Sequence, residues 1–194
     1  MRFLSAADHR CMPWKNGGGV TTEIAVFPPG AGLNDFAWRI SMARVEVDGP
    51  FSLFPGVDRT LVLLDGKALV LSVAGNGVHR LSRPYDIVAF PADVAASARL
   101  GAGPVTDLNV MTRRGVCEAE VRLLTVSGEQ RLDPVDAVTA VLAEGNGLRA
   151  GSDGRVFALG RRDALLFSPG EAAVLTAAEP CPAVVIAIRP VDPR

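Results

Sequence analysis

Short apolar runs separated by glycine, proline and aspartate make up most of the chain. The runs at 36–45, 60–64, 68–73, 87–90 and 106–112 are rich in Val, Leu, Ile and Phe, and none is longer than ten residues. That pattern predicts strands. The second half repeats it at 120–126, 156–159, 164–167, 173–176 and 183–189. The 20 glycines and 14 prolines supply the turns between runs. Many short strands at close spacing predict an all-β chain built from sandwiches or barrels.

One segment reads two ways. Asp133 and Pro134, followed by Val135, Val138, Val141 and Leu142, fit a capped helix with proline in its first turn. An internal repeat favours a strand over 138–143 instead. VLLDG at 62–66 resembles AVLAEG at 140–145, and HRLSRPYDIVAFP at 79–91 resembles FALGRRDALLFSP at 157–169. Strand, acidic-Gly turn, strand, Gly turn, strand, Asp and a strand ending in Phe follow one another in both halves. The repeat predicts two similar β units, 1–117 and 118–194, as in a double-barrel bicupin chain. The second unit is Ala-, Val- and Leu-rich, and its Arg161-Arg162-Asp163 reads as a solvated turn. The first is expected to carry the site and the second to buttress it.

Four segments of the first half break the apolar pattern. The first is MPWKNGGGVTTE, 12–23. Three consecutive glycines accept a high entropy cost and let a backbone approach something closely. Two readings fit: a loop crossing tightly over a neighbouring strand, or a pocket wall whose amides and Lys15 face a polar or anionic ligand. In FAWRISMARV, 36–45, strand alternation puts Trp38, Ile40 and Met42 on one face and Arg39, Ser41 and Ala43 on the other. Arg39 is then either solvated or a pocket cation. In DGPFSLFPGVDRT, 48–60, a compact turn runs into a strand at Arg59, which can pair with the adjacent Asp58 or face a ligand. In TDLNVMTRRG, 106–115, Asp107, Asn109, Met111 and Arg113 share one strand face. Buried, such a set needs an internal polar network or a ligand, because an unpaired buried charge costs several kcal/mol.

Composition removes several chemistries. The formal net charge is −1, which gives no electrostatic case for nucleic acid or an anionic membrane. With 18 arginines against two lysines, a single arginine is a weaker signal than Lys15. No apolar stretch is long enough for a transmembrane helix, and 3–7 is too short for a signal peptide. Cys11, Cys117 and Cys181 are odd in number and widely spaced, which fits a reducing cytoplasm. Cys11 reads as a buried structural thiol. His9 and His79 are the only histidines, so a three-His metal site is impossible, and His79 reads as a polar strand residue. No GxSxG elbow is present, and Lys15 precedes its glycines, unlike the lysine of a phosphate loop. No metal, no cofactor and no catalytic residue is assigned.

The segments MPWKNGGGVTTEIA, WRISMARVEVDGPFSLFPGVDRTLVLLDG, DIVAFP and GPVTDLNVMTRRG, in this order, resemble the HutD/Ves family. They span most of 12–115; the C-terminal half matches by its repeat pattern. The resemblance implies a metal-free bicupin associated with histidine utilisation. It places the family's pocket arginine at Arg59, with Lys15, Asn16 and the glycine motif lining the same cavity and Asn109 and Arg113 in its wall. The expected ligand-binding set is Arg59, Lys15, Asn16, Gly18, Thr21, Glu23, Arg39, Asn109, Met111 and Arg113.

Two functions follow as expectations. The first is a regulatory binding module that senses or buffers a small acidic metabolite such as urocanate or formylglutamate. The second is a metal-independent isomerase or hydrolase of a small acid, with Glu23 and Lys15 as its acid/base pair. A purely structural or partner-binding bicupin is the third possibility. The expected assembly is a monomer or homodimer.

Overall fold

The computed structural model describes residues 1–14, 17–133 and 136–191. Its strands are β1 (Arg2–Leu4), β2 (Arg10–Pro13), β3 (Gly19–Phe27), β4 (Trp38–Val45), β5 (Gly49–Pro50), β6 (Val57–Asp65), β7 (Leu69–Val73), β8 (Gly77–Leu81) and β9 (Ile87–Pro91). There follow β10 (Ala96–Leu100), β11 (Val105–Arg113), β12 (Cys117–Leu132), β13 (Val138–Ala143), β14 (Leu148–Ser152), β15 (Arg155–Leu159), β16 (Ala164–Phe167) and β17 (Ala173–Pro190). Among the described residues the one helical segment is a 3-10 turn, Ala6–Asp8, capped by the Ser5 hydroxyl. No helix is long and apolar enough to cross a membrane. The chain is all-β, as its short apolar runs predict.

Two compact units form. One is Arg10–Glu118; the other joins Met1–His9 to Ala119–Val191. Residues 1–9, placed by the sequence reading in the first unit, instead pair with the second: β1 runs antiparallel to β16, with Phe3 opposite Leu165. The Met1 ammonium reinforces this contact through Glu171, 3.0 Å away.

Unit Arg10–Glu118 contains a six-stranded sheet, β2-β3-β4-β11-β6-β9, and a four-stranded sheet, β5-β10-β7-β8. Alternation explains their packing. On β10, Ala96 and Ala98 are buried while Ser97 and Arg99 are exposed; on β9, Val88 and Phe90 are buried while Ile87 and Ala89 are exposed. These inward faces join Leu61, Leu63, Leu69, Leu71 and Val105 in one apolar core fed by both sheets. β4 and β11 differ, being buried on both faces along nearly their whole length. The other unit is a seven-stranded sheet, β1-β16-β13-β17-β14-β15, with β12 also paired to β17. Its interior is apolar, built from residues such as Val141, Leu148, Leu165, Phe167, Leu175 and Val185.

The internal repeat is visible hydrogen bond by hydrogen bond. Tyr85 and Arg162 both have positive φ, 68° and 71°. Tyr85 N donates to Leu63 O, and Leu63 N donates to Asp86 O; Arg162 N donates to Ala143 O, and Ala143 N donates to Asp163 O. Each aspartate then caps its own turn: Asp86 accepts from the amides of Ser82 and Arg83, Asp163 from that of Gly160. Leu63 lies three residues before Gly66 but Ala143 only two before Gly145. A register shift accounts for this offset: Thr106 faces Asp65 and Asp107 faces Leu63, so Leu64 is the extra residue of a bulge.

Three local expectations change or resolve. Residues 138–143 form β13, so the strand reading holds there; Pro134 and Val135 lie outside the described residues. Cys11 is exposed rather than buried, because β2 is the edge strand of its sheet. The turn at 161–163 is tied into the fold rather than simply solvated. Asp163 also accepts from Ala6 N at 2.7 Å, and Arg161 lies 3.6 Å from the buried Glu144 carboxylate.

Candidate functional site: a polar layer inside unit 10–118

Strand register assembles the polar residues of this unit on one inward face. Across β4 and β11, Met111 faces Arg39, Asn109 faces Ser41 and Asp107 faces Ala43. Across β11 and β6, Met111 faces Arg59 and Asn109 faces Leu61. On β3, Glu23 faces Ser41; a bulge at Ile24 follows, so that Val26 rather than Ala25 faces Arg39. Two-residue alternation thus gives a layer of buried Arg39, Ser41, Arg59, Asp107 and Asn109, with Glu23 half-buried at its edge. Apolar residues flank it: the core around Leu61, Leu63 and Phe90, and a smaller cluster of Phe36, Val57, Ala92 and Met111.

Arg59 is 5% exposed. The turn that precedes it supplies its surroundings. Its guanidinium carbon lies 5.1 Å from the Phe51 ring centre, 5.4 Å from Phe54 and 5.7 Å from Phe90, within cation–π range of all three. Among the described residues its one hydrogen bond is a long one, Nη2 to Ser52 O at 3.4 Å, and its Nε meets no partner. Burial pulls its pKa down to about 10; Asp107 opposes that shift and Arg39 adds to it. Arg59 therefore remains charged at neutral pH. The pairing of Arg59 with Asp58 that its sequence position permits does not form. Alternation turns Asp58 to the other face, where it and Asp93 bind Arg114 at 2.6 and 3.0 Å.

Asp107 is fully buried and Asn109 is 6% exposed. Asn109 Nδ2 donates a hydrogen bond to Asp107 Oδ1. Asp107 Oδ2 and Asn109 Oδ1 meet no partner among the described residues. Burial pushes the Asp107 carboxyl up to about 7, against the pull of Arg59 and of the Asn109 hydrogen bond. No direct ion pair joins Arg59 to Asp107 among the described residues, although each acts on the other's ionisation. Arg39, by contrast, is satisfied. Its Nε donates to Glu23 Oε2 at 2.7 Å and its Nη1 to Ser41 Oγ at 3.3 Å. Glu23 is thereby held as a counter-ion, which leaves Asp107 as the group in this layer poised to gain or lose a proton near neutrality.

The remaining expected residues separate. Thr21 shares the Glu23 face, but its hydroxyl accepts from Trp14 Nε1 at 2.7 Å. Met111 belongs to the apolar cluster beside Arg59. Arg113 holds the preceding loop, donating to Phe36 O at 3.0 Å and Asn34 O at 2.8 Å. Gly18 is buried, and its carbonyl accepts from Glu46 N. Lys15 and Asn16 lie outside the described residues. Two of the three glycines have a conformational reason. Gly17 has φ +71°, and a Cβ on Gly19 would stand 2.3 Å from Arg44 O. The triplet crosses closely over β4, the first of the two readings its sequence allows.

Sequence reasoning left Asp107, Ser41 and the three phenylalanines out of the site. Alternation had already put Asp107 beside Asn109 and Ser41 beside Arg39. Nothing in sequence spacing signals that Phe51, Phe54 and Phe90 converge on one guanidinium. Among the described residues no group of three or more His, Cys, Asp or Glu could hold a metal ion. The layer offers hydrogen bonds and charge: a buried guanidinium with an open Nε, and two open oxygens on the neighbouring strand.

The HutD family profile matches residues 6–185. The chain belongs to the HutD family. Two solved structures resemble it along nearly its whole length. A conserved protein of unknown function from Pseudomonas aeruginosa PAO1 is 31% identical, with a TM-score of 0.89 over 97% of this chain and 98% of that one. HutD from Pseudomonas fluorescens SBW25, in a formate condition, is 30% identical, with a TM-score of 0.82 over 98% and 99%. The HutD chain also shares its fold with a cupin 2 conserved barrel domain protein from Leptotrichia buccalis, at 10% identity and a TM-score of 0.61 over 97% and 100%. The fold is cupin-like.

Proposed function

We propose that this HutD-family protein is a metal-independent binding module for a small carboxylate, associated with histidine utilisation, and that it senses or buffers an acidic intermediate such as urocanate or formylglutamate. One observation carries the reading: Arg59 is a buried, charged guanidinium whose Nε meets no partner among the described residues. Fold stability alone does not explain it, because a buried cation costs several kcal/mol unless paired and fully hydrogen-bonded. An anion beside Arg59 supplies what the protein does not. Arginine suits the task, since its planar fork matches a carboxylate and each charged hydrogen bond adds roughly 1.5–3 kcal/mol. The three phenyl rings stand within cation–π range of the guanidinium and offer it no hydrogen-bond acceptor. Binding in turn would temper expression or flux in a histidine-degrading pathway, in a cytoplasmic setting.

Thermal unfolding with urocanate or formylglutamate at millimolar concentration tests this. A ligand present at 100 times its Kd stabilises the folded state by about 2.7 kcal/mol. A clear rise in Tm for at least one acid is expected; unchanged melting with both contradicts the reading. The enzymatic alternative is weakened in its original form, because Glu23 is committed to Arg39 at 2.7 Å.

A further inference from the structure

The polar layer contains more than a site for a negative charge. Its unpartnered atoms are of two kinds. Arg59 Nε is a donor; Asn109 Oδ1 is an acceptor, as is Asp107 Oδ2 when ionised. The Asn109 amide is oriented by its own hydrogen bond: because Nδ2 donates to Asp107 Oδ1, the oxygen is the atom left without a partner. Asn109 faces Leu61 and Arg59 faces Met111, so Arg59 and Asn109 are diagonal neighbours on the same inward face. Such neighbours stand about 7–8 Å apart, within the span of one small molecule. A simple carboxylate would satisfy Arg59 and leave the Asn109 oxygen buried and unmatched, and would bring a second acceptor toward Asp107.

We propose that the ligand of this layer carries an acceptor and an N–H donor together: a carboxylate taken by Arg59 Nε and an amide-type or ring N–H taken by Asn109 Oδ1. The inference rests on the reading of Arg59 as the carboxylate anchor and adds the second half of the recognition. It assigns Asn109 as the residue that selects N–H-bearing acids over plain keto acids and dicarboxylates. A site with a buried acceptor rejects an analogue lacking the matching donor, because the acceptor then loses water and gains nothing.

Three probes of nearly equal size separate these contributions. N-acetylglycine carries a carboxylate and an amide N–H. 4-Oxopentanoate replaces that N–H by a methylene, and N-acetylsarcosine replaces its hydrogen by a methyl group. Calorimetric titration of the full-length protein is expected to give N-acetylglycine an affinity at least about tenfold above both analogues. In Asn109→Leu the preference should collapse to about twofold or less; the wild-type comparison alone decides if that variant fails to fold. Equal affinities for all three would overturn the donor requirement and leave the carboxylate reading standing. 4-Oxopentanoate binding as tightly as formylglutamate would have the same meaning. Failure of all five acids would overturn both.

Discussion

The two units use the same local devices and differ in what they enclose. Each has a left-handed residue followed by an aspartate that caps its turn, and each clamps that turn to a strand through paired backbone bonds. Unit Met1–His9 with Ala119–Val191 fills its core with Ala, Val, Leu and Phe, and its buried carboxylate, Glu144, lies 3.6 Å from Arg161. Unit Arg10–Glu118 buries Arg39, Ser41, Arg59, Asp107 and Asn109, with Glu23 half-buried beside them. The apolar interior shows that such a sheet closes without a polar layer. The polar layer opposes folding through desolvation and is tied up only in part. Arg39 and Glu23 complete one another, whereas Arg59, Asp107 and Asn109 each keep an open atom. That contrast within the layer separates a structural ion pair from a binding surface.

The largest effect is expected where packing alone operates. Phe167→Ala in the apolar interior should cost about 4 kcal/mol in urea denaturation, by lost burial and a residual cavity, and should leave carboxylate affinity unchanged. Next is Arg39→Met, which strips the partner from a mostly buried Glu23. A loss of about 3 kcal/mol is expected. A negligible loss would mean that the ion pair is not the structural half of the layer.

Asp107→Asn is smaller and depends on pH. The folded carboxyl sits near 7, above its ordinary value, so between about pH 4 and 7 the folded protein holds a proton that the unfolded chain has released. This group therefore leaves stability intact at low pH and erodes it as pH rises toward 7. The asparagine variant should match wild type near pH 4 and exceed it near pH 8 by on the order of a few kcal/mol, read from unfolding curves across pH. The same linkage predicts that anion affinity falls above pH 7, by up to tenfold per pH unit, as Asp107 ionises. The smallest effects concern the shared clamps. Asp86→Ala and Asp163→Ala should each cost about 1 kcal/mol through the capped amides, and neither should alter binding. Unequal losses would show that the repeat is only topological.

How much of this was readable from sequence depends on range. Period-two alternation is local, so it identified the Asp107-Asn109-Met111 face and the Arg39-Ser41 face before any fold was known. The repeat could be aligned because its turns need glycine and an acidic cap in the same order in both halves. The three-residue β1 gives no periodic signal, and its pairing with β16 is a contact across more than 150 residues. The aromatic walls of Arg59 were equally hidden. Phe90 reaches it only through the pairing of β9 with β6, and Phe51 and Phe54 through the path of a turn. Arg113 shows the opposite failure. Alternation placed it on the site's face, but at the strand end its guanidinium takes the carbonyls of Asn34 and Phe36 instead.

Calorimetric titration of wild type and Arg59→Met with urocanate and formylglutamate, with the Tm of both proteins measured in parallel, tests the central claim most directly. Methionine fills the space among the phenyl rings and removes a desolvated charge, so Arg59→Met is expected to fold with stability within about 1 kcal/mol of wild type. The account predicts saturable binding by wild type and none by this folded variant. Equal binding by both proteins would contradict it.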